Sequence, residues 1–309
     1  MNFLKLIRFI NLIIVALTQY LLQYALLIPA LSQVGGQPIL PNFQFFLLVI
    51  STVLIAAGGY IINDIEDVEI DKLNKPLRKQ IVGRIYPLSK SWFFYGFLTF
   101  VGFIISLYLA FYIRDFLQLI IYPAAVTLLW AYSKWFKKMP LIGNLVVAFF
   151  CAFVAWVVFY AQSLYKPTPE EVKNGYNSSV SYVAFTFVSY SIFAFISTLF
   201  REIIKDIEDA EGDKAGNCRT LPIVLGIQKS KRVAFGVGVI FLFWVVFFSF
   251  ILRGSFLQTV LLNVTISLPI IYALHLLLKA KEKADFSFLS KLAKVIMLSG
   301  IIFILIMKI

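Results

Sequence analysis

The sequence predicts an all-α, polytopic membrane protein of nine transmembrane helices, and three observations predict it. First, the 309 residues are 61% hydrophobic and only 14% charged, with a mean hydropathy of +0.88. A soluble domain has no use for that much apolar surface. Second, the apolar residues fall into nine runs, most of them long enough for the ~20 residues that a hydrocarbon core of about 30 Å requires. Third, the basic residues alternate between connections. The N-terminus and the segments after the second, fourth, sixth and eighth runs, counted through the basic residues that open the following run, hold all of the 28 Lys and Arg except Arg114, Lys166, Lys173, Arg253 and Lys308. Lys and Arg concentrate on the cytoplasmic side, so the N-terminus is expected inside and the C-terminus outside.

In order, the expected spans are 9–30, 43–63, 91–112, 117–133, 142–162, 180–200, 232–252, 256–278 and 288–308. Lys5 and Arg8 precede the first. It resembles a signal sequence, but its length, its Asn11, Gln19 and Gln23, and the spans that follow make it a retained helix. Pro29, Pro38 and Pro41 bracket the first connection. The second span gives out at Asn63, where acidic residues begin. Lys166-Pro167-Thr168-Pro169 opens a polar connection that ends near Ser179, and Arg253-Gly254-Ser255 is a tight turn. The chain reads as one transmembrane domain, 1–309, with two pseudo-repeated halves of roughly 1–140 and 141–309.

The formal net charge is +12. In a chain of this class that excess sets orientation and meets anionic lipid; it does not call for nucleic acid. Cys151 sits in an apolar run and Cys218 in a charged loop, so no disulfide is expected, and no zinc spacing occurs.

The stretch that carries chemistry is Asn63-Asp64-Ile65-Glu66-Asp67-Val68-Glu69-Ile70-Asp71-Lys72. It returns as Lys205-Asp206-Ile207-Glu208-Asp209-Ala210-Glu211-Gly212-Asp213-Lys214. Aligned from Asp64 and Asp206, all of the nine positions match except Val68/Ala210 and Ile70/Gly212, so this is an internal repeat. With Glu202, the two copies hold all of the 16 acidic residues except Asp115, Glu170, Glu171, Glu282 and Asp285. On a helix, Asn63, Asp67 and Asp71 share a face, as do Asp206, Asp209 and Asp213. Carboxylates lined up this way repel one another unless a cation lies between them. Hard oxygen donors suit Mg²⁺, which takes one or two carboxylates and completes its shell with phosphate and water. A solvated acidic loop is the plainer reading of one such cluster, and the match between two argues against it. Lys72, Lys75, Arg78 and Lys79 follow the first copy. Lys205 precedes the second, and Lys214 and Arg219 follow it. Such donors would offset the charge of a metal-bridged diphosphate. Gly212, where the first copy has Ile70, is expected to break the second helix after Asp209. Gly58-Gly59 reads as a helix-packing site.

At these residues the chain resembles the UbiA superfamily of intramembrane prenyltransferases. The family's NxxxDxxxD motif after its second helix is matched by Asn63, Asp67 and Asp71. Its DxxDxxxD motif after the sixth is matched by Asp206, Asp209 and Asp213. The wording through Pro76, and from Arg201 to Gly216, is similar to the digeranylgeranylglyceryl phosphate synthase branch. The resemblance implies a UbiA-like bundle with a central cavity open to the cytoplasmic face. It also implies metal-dependent catalysis at Asp67, Asp71, Asp209 and Asp213, with Asn63 and Asp206 completing the metal set. Substrate would be bound by Arg8, Asn11, Tyr132, Ser133 and Lys138, together with Lys75, Arg78, Lys205 and Arg219. The partners implied are an isoprenoid diphosphate, a lipophilic acceptor and membrane lipid. The chain departs from the family in reading Arg78-Lys79 and Val82-Gly83 beyond Pro76, a loop expected near the acceptor. An aromatic acceptor, as in quinone or haem O synthesis, is the alternative within the family. A divalent-cation or solute transporter is the alternative outside it, although transporters keep their acidic residues near the bilayer midplane.

Overall fold

A computed structural model describes residues 2–69, 80–163, 167–216, 218–252 and 255–307. Asp71, Lys75 and Arg78 lie outside the described residues. The long helices are α1 (Phe9–Gln33), α2 (Asn42–Glu66), α3 (Leu88–Ile113), α4 (Leu117–Lys134), α5 (Ile142–Ser163), α6 (Tyr176–Ala215), α7 (Ile227–Ile251), α8 (Phe256–Lys279) and α9 (Lys283–Phe303). Eight of them are long and apolar enough to cross a membrane. The nine expected spans are therefore met by eight of that length and a shorter one. In α4 the apolar stretch is Leu119–Lys134, with Pro123 inside it. At 18 residues, α4 reaches about 27 Å, just under the hydrocarbon thickness.

Two compact units are present: Met1–Tyr20, Pro38–Lys137 and Tyr160–Tyr165 form one, and Leu21–Gln37, Lys138–Phe159 and Lys166–Ile309 the other. In the first, α2 packs on α3 and α4. Helices in lipid gain little by burying apolar surface against each other, so close packing at small residues holds them. A Cβ on Gly59 would stand 3.0 Å from Leu129 of α4, and one on Gly58 3.4 Å from Thr99 of α3. The pair lets α2 be approached from two sides, and α2 runs unbroken through it. At Gly102 of α3 a Cβ would fall 2.0 Å from the Tyr122 hydroxyl, which donates to the Thr99 carbonyl at 2.8 Å. Leu6, Ile7, Leu12, Ile61 and Ile65 bury the N-terminal segment against the end of α2 that carries the acidic residues.

In the second unit, α6 packs on α7 and α9, and α8 on α7 and α9. Phe200 and Leu274 close on Gly238, and Phe193 closes on Gly300. Helices α1 and α8 each contain a π turn, Leu22–Leu27 and Asn263–Ser267, two residues ahead of Pro29 and Pro269. Proline removes one ladder hydrogen bond, and a local π turn re-registers the carbonyl it strands.

Three helices depart from expectation, and one of them, α7, begins at Ile227, five residues early. At 40 residues, α6 is about 60 Å long, twice what a bilayer core needs. Its apolar part ends at Phe200, so Arg201–Ala215 project as a charged rod beyond the hydrocarbon. Gly212 does not break it. A glycine inside an exposed helix costs only about 1 kcal/mol relative to alanine, which the continuous ladder absorbs. Helix α9 begins at Lys283, five residues earlier than expected. The Asp285 carboxylate accepts from the backbone N–H groups of Lys281 (2.8 Å) and Glu282 (3.0 Å) and caps the helix there.

Candidate active site

The first acidic copy closes α2. Asn63 and Asp67 stand one turn apart, and the Asp67 N–H donates to the Asn63 carbonyl at 3.1 Å, ending the helix with both side chains on one face. Asn63 Nδ2 donates to Asp67 Oδ2 at 3.1 Å. From the segment after α4, Lys137 Nζ donates to Asp67 Oδ1 at 2.6 Å and to Asn63 Oδ1 at 3.3 Å. The Lys137 side chain is only 12% exposed, so this ion pair is sheltered from solvent screening. On the adjoining face, Arg8 Nη2 pairs with Asp64 Oδ1 at 3.2 Å, and its guanidinium lies 4.7 Å from the centroid of the Tyr60 ring. Asn11 donates to the Tyr60 hydroxyl at 3.3 Å. Arg8 takes a positive φ of 50°, which turns the chain between the helix at Asn2–Leu6 and α1.

The second copy lies within the projecting part of α6. Asp206 and Asp213 are half-buried, while Asp209 is exposed. Neutral donors hold two of them: Asn144 of α5 donates to Asp206 Oδ2 at 2.9 Å, and Thr220 donates to Asp213 Oδ2 at 2.9 Å. Lys205 and Lys283 lie within electrostatic range of Asp209. One turn back, Arg201 pairs with Glu202.

Among the described residues no three His, Cys, Asp or Glu side chains converge into a ready-made metal cage. The donors present are half-buried and exposed carboxylates with an amide beside them. This fits Mg²⁺, which dehydrates reluctantly and leaves much of its shell to water and phosphate. It does not fit Zn²⁺, which wants a closed set of nitrogen and sulfur ligands.

The family model described as the UbiA prenyltransferase family matches residues 21–297. The chain belongs to this family. A Sulfolobus acidocaldarius protein named digeranylgeranylglyceryl phosphate synthase is 36% identical over 190 residues, 62% of this chain. The chain matches 60% of the length of that relative, under two thirds. A solved structure concerned with digeranylgeranylglyceryl phosphate synthase in membranes superposes with a TM-score of 0.66 at 26% identity, over 98% of each chain. A UbiA homolog from Archaeoglobus fulgidus, bound to DMAPP and Mg²⁺, shares the fold, with a TM-score of 0.61 at 13% identity over 98% of this chain and 99% of that one. With its apolar helices, this UbiA-family chain is an integral membrane protein.

Within this UbiA-family fold the expected site residues are distributed as follows. Arg8 and Asn11 converge on Tyr60 and Asp64, beside Asn63 and Asp67. Ser133 is 1% exposed and its hydroxyl donates to the Leu129 carbonyl at 2.9 Å, within its own helix. Tyr132 and Lys138 are half-buried, and the Lys138 carbonyl accepts from the Arg219 N–H at 2.9 Å. Lys205 and Arg219 are exposed. Sequence reasoning passed over Lys137, Asn144 and Thr220. Lys137 stands in a run with Lys134 and Lys138, all three explained equally well by membrane topology. Asn144 could have been found, since it is the one amide near the start of an otherwise apolar span.

Proposed function

We propose that the chain is a Mg²⁺-dependent prenyltransferase that moves a geranylgeranyl group from its diphosphate to the free hydroxyl of geranylgeranylglyceryl phosphate, an ether-forming step of lipid synthesis. The observation that carries this reading is the repeated carboxylate segment, each copy placed where an apolar helix passes out of the hydrocarbon. Family membership, the named Sulfolobus relative and the DMAPP and Mg²⁺ of the Archaeoglobus homolog support it. The chain would act as a single transmembrane domain, with both copies and the N-terminus on the cytoplasmic side, a reading that the distribution of Lys and Arg supports.

Asn63, Asp67, Asp71, Asp206, Asp209 and Asp213 would hold the metal. The metal held there would supply positive charge that makes diphosphate a better leaving group. The chain's own cations do the rest. Lys137 and Arg8, with Lys75, Arg78, Lys138, Lys205 and Arg219, bind the remaining diphosphate charge and favour the state in which it is greatest. Tyr132 would bind substrate with them. The C1–O bond of the donor breaks with its electron pair leaving on the diphosphate. The acceptor oxygen bonds to C1 and gives up its proton, so the products are an ether, inorganic diphosphate and H⁺. The prenyl chains lie among the apolar helices, which keep water from the allylic cation.

The experiment is to incubate purified protein with labelled geranylgeranyl diphosphate, Mg²⁺ and candidate acceptors, and to identify the lipid formed. A digeranylgeranylglyceryl phosphate product is expected, and it should vanish when Mg²⁺ is chelated. A product only with an aromatic acceptor would replace the lipid reading, and no consumption of any allylic diphosphate would end it.

A further inference from the structure

A second group of charged residues lies deeper along α6, away from the carboxylates. Helices α6 and α9 run antiparallel, and two anchors set their register. Gly300 abuts Phe193, and Lys283 lies in electrostatic range of Asp209. Interpolating at 1.5 Å per residue puts Lys294 of α9 level with Thr198 and Leu199, within one turn of Arg201. Lys294 is accordingly in electrostatic range of Arg201, Glu202, Lys205 and Glu208. It is exposed, and it makes no ion pair or hydrogen bond with any described residue. It stands level with the last apolar residues of α6, at the edge of the hydrocarbon and apart from the row of carboxylates.

Arg201 is the complementary half. Its side chain is 16% exposed, and one Nη pairs with Glu202, which neutralises one cation of the pair. Its Nε is buried and has no hydrogen-bond partner. A buried guanidinium N–H left without an acceptor is costly, and the guanidinium fork is shaped for the two oxygens of a phosphate or carboxylate. An unpartnered ammonium and an unsatisfied guanidinium N–H thus lie on neighbouring helices, in a group of three cations, Arg201, Lys205 and Lys294, and two carboxylates, Glu202 and Glu208.

We infer that Arg201 and Lys294 form an anion subsite that takes the phosphomonoester headgroup of the acceptor. The inference rests on the prenyltransferase reading for the identity of that anion. Position separates this subsite from the donor's. Arg201 is five residues from Asp206 and eight from Asp209, about 8 to 12 Å along the helix axis. A diphosphate seated at the carboxylates leaves these two cations free for a second anion. A neutral aromatic acceptor would leave both without a purpose.

The test is equilibrium binding of geranylgeranylglyceryl phosphate, without donor, to the detergent-solubilised full chain. Lys294→Met should raise the Kd about tenfold or more, the loss of one charge-assisted contact. Its Kd for a non-hydrolysable geranylgeranyl diphosphate analogue in Mg²⁺ should stay within about twofold. Lys294→Arg should restore acceptor binding, which separates loss of charge from loss of fold. The unphosphorylated prenylglycerol should bind wild type and Lys294→Met equally. Two further arms identify the source of the anion. Inorganic phosphate should compete with the acceptor in wild type, whereas exchanging neutral for anionic vesicles should not. An unchanged acceptor Kd in Lys294→Met, equal weakening of acceptor and donor, or displacement by anionic vesicles overturns the subsite. Because no turnover is needed, a chain that binds as described but transfers nothing would count against the proposed reaction and leave the subsite standing.

Discussion

The two acidic copies share nearly the same nine residues and are held in opposite ways. The first ends a helix, and two of its carboxylates are in direct ion pairs: Lys137 on Asp67 and Arg8 on Asp64. The second lies within an unbroken helix and is held by neutral donors, Asn144 on Asp206 and Thr220 on Asp213, with its cations at longer range. Local sequence therefore fixes which atoms are offered, and the surrounding helices decide how much charge remains. Asp64 and Asp67 of the first copy are ion-paired before any ligand arrives. In the second, burial pushes the Asp206 carboxyl up to about 7 and raises that of Asp209, and neither is in a direct ion pair among the described residues, so a divalent cation bound there would relieve more than at the first.

The sharpest way to break this comparison is to remove one carboxylate from each copy. Asp67→Ala and Asp209→Ala should each lower prenyl transfer at least about a hundredfold, in the range seen when one preorganised electrostatic group is lost. Both proteins should remain in the membrane. The copies should part company in a metal titration without substrate: Asp209→Ala should weaken binding of Mn²⁺, followed by its paramagnetic signal, more than Asp67→Ala does. Equal weakening would erase the asymmetry.

The next largest effect is expected at the neutralising partners. Lys137→Met strands the half-buried Asp67 carboxylate, whereas Asn144→Ala removes a neutral hydrogen bond. The first should cost about 3 kcal/mol and the second about 1 kcal/mol, read as the loss in thermal midpoint. Raising salt should narrow the gap between wild type and Lys137→Met only slightly, because that pair is sheltered, and should leave Asn144→Ala unaffected. A larger loss for Asn144→Ala would mean that the second copy, and not the first, carries the structural charge.

These contrasts explain what the sequence could and could not reveal. Span positions were legible because hydrophobic length is imposed by the bilayer and leaves little room for alternatives. The site carboxylates were legible because a repeat of charged residues beside apolar runs has few structural explanations. The partners were not. Lys137 sits in a basic run, where membrane topology alone predicts lysines, and only the path of the chain after α4 brings it, and not Lys134, onto Asp67. Lys134 spends its charge over Trp130 and Trp135 instead. Asn144 and Thr220 act across helices, and no spacing along the chain encodes that. The early start of α9 turned on one capping aspartate, Asp285, whose effect outweighs the hydropathy that suggested a later start.

The smallest expected effect lies at the position where the copies differ most, Ile70 against Gly212. Propensity suggests a break there, yet α6 continues to Ala215 and nothing lies within 4 Å of where a Cβ on Gly212 would stand. Gly212→Ala should therefore fit without strain, reduce the freedom of the unfolded chain, and stabilise the helix by about 0.5 to 1 kcal/mol. In a protein of this size that is roughly one to four degrees in thermal midpoint. Transfer activity should hold if the rod carrying Asp209 and Asp213 works as a rigid platform. Should the midpoint rise while activity falls, the glycine is there to let Asp213 move relative to Asp209, and the two copies would differ in flexibility as well as in charge. A lower midpoint would contradict an unbroken helix and return the second copy to the geometry of the first, a helix that ends at its own acidic residues.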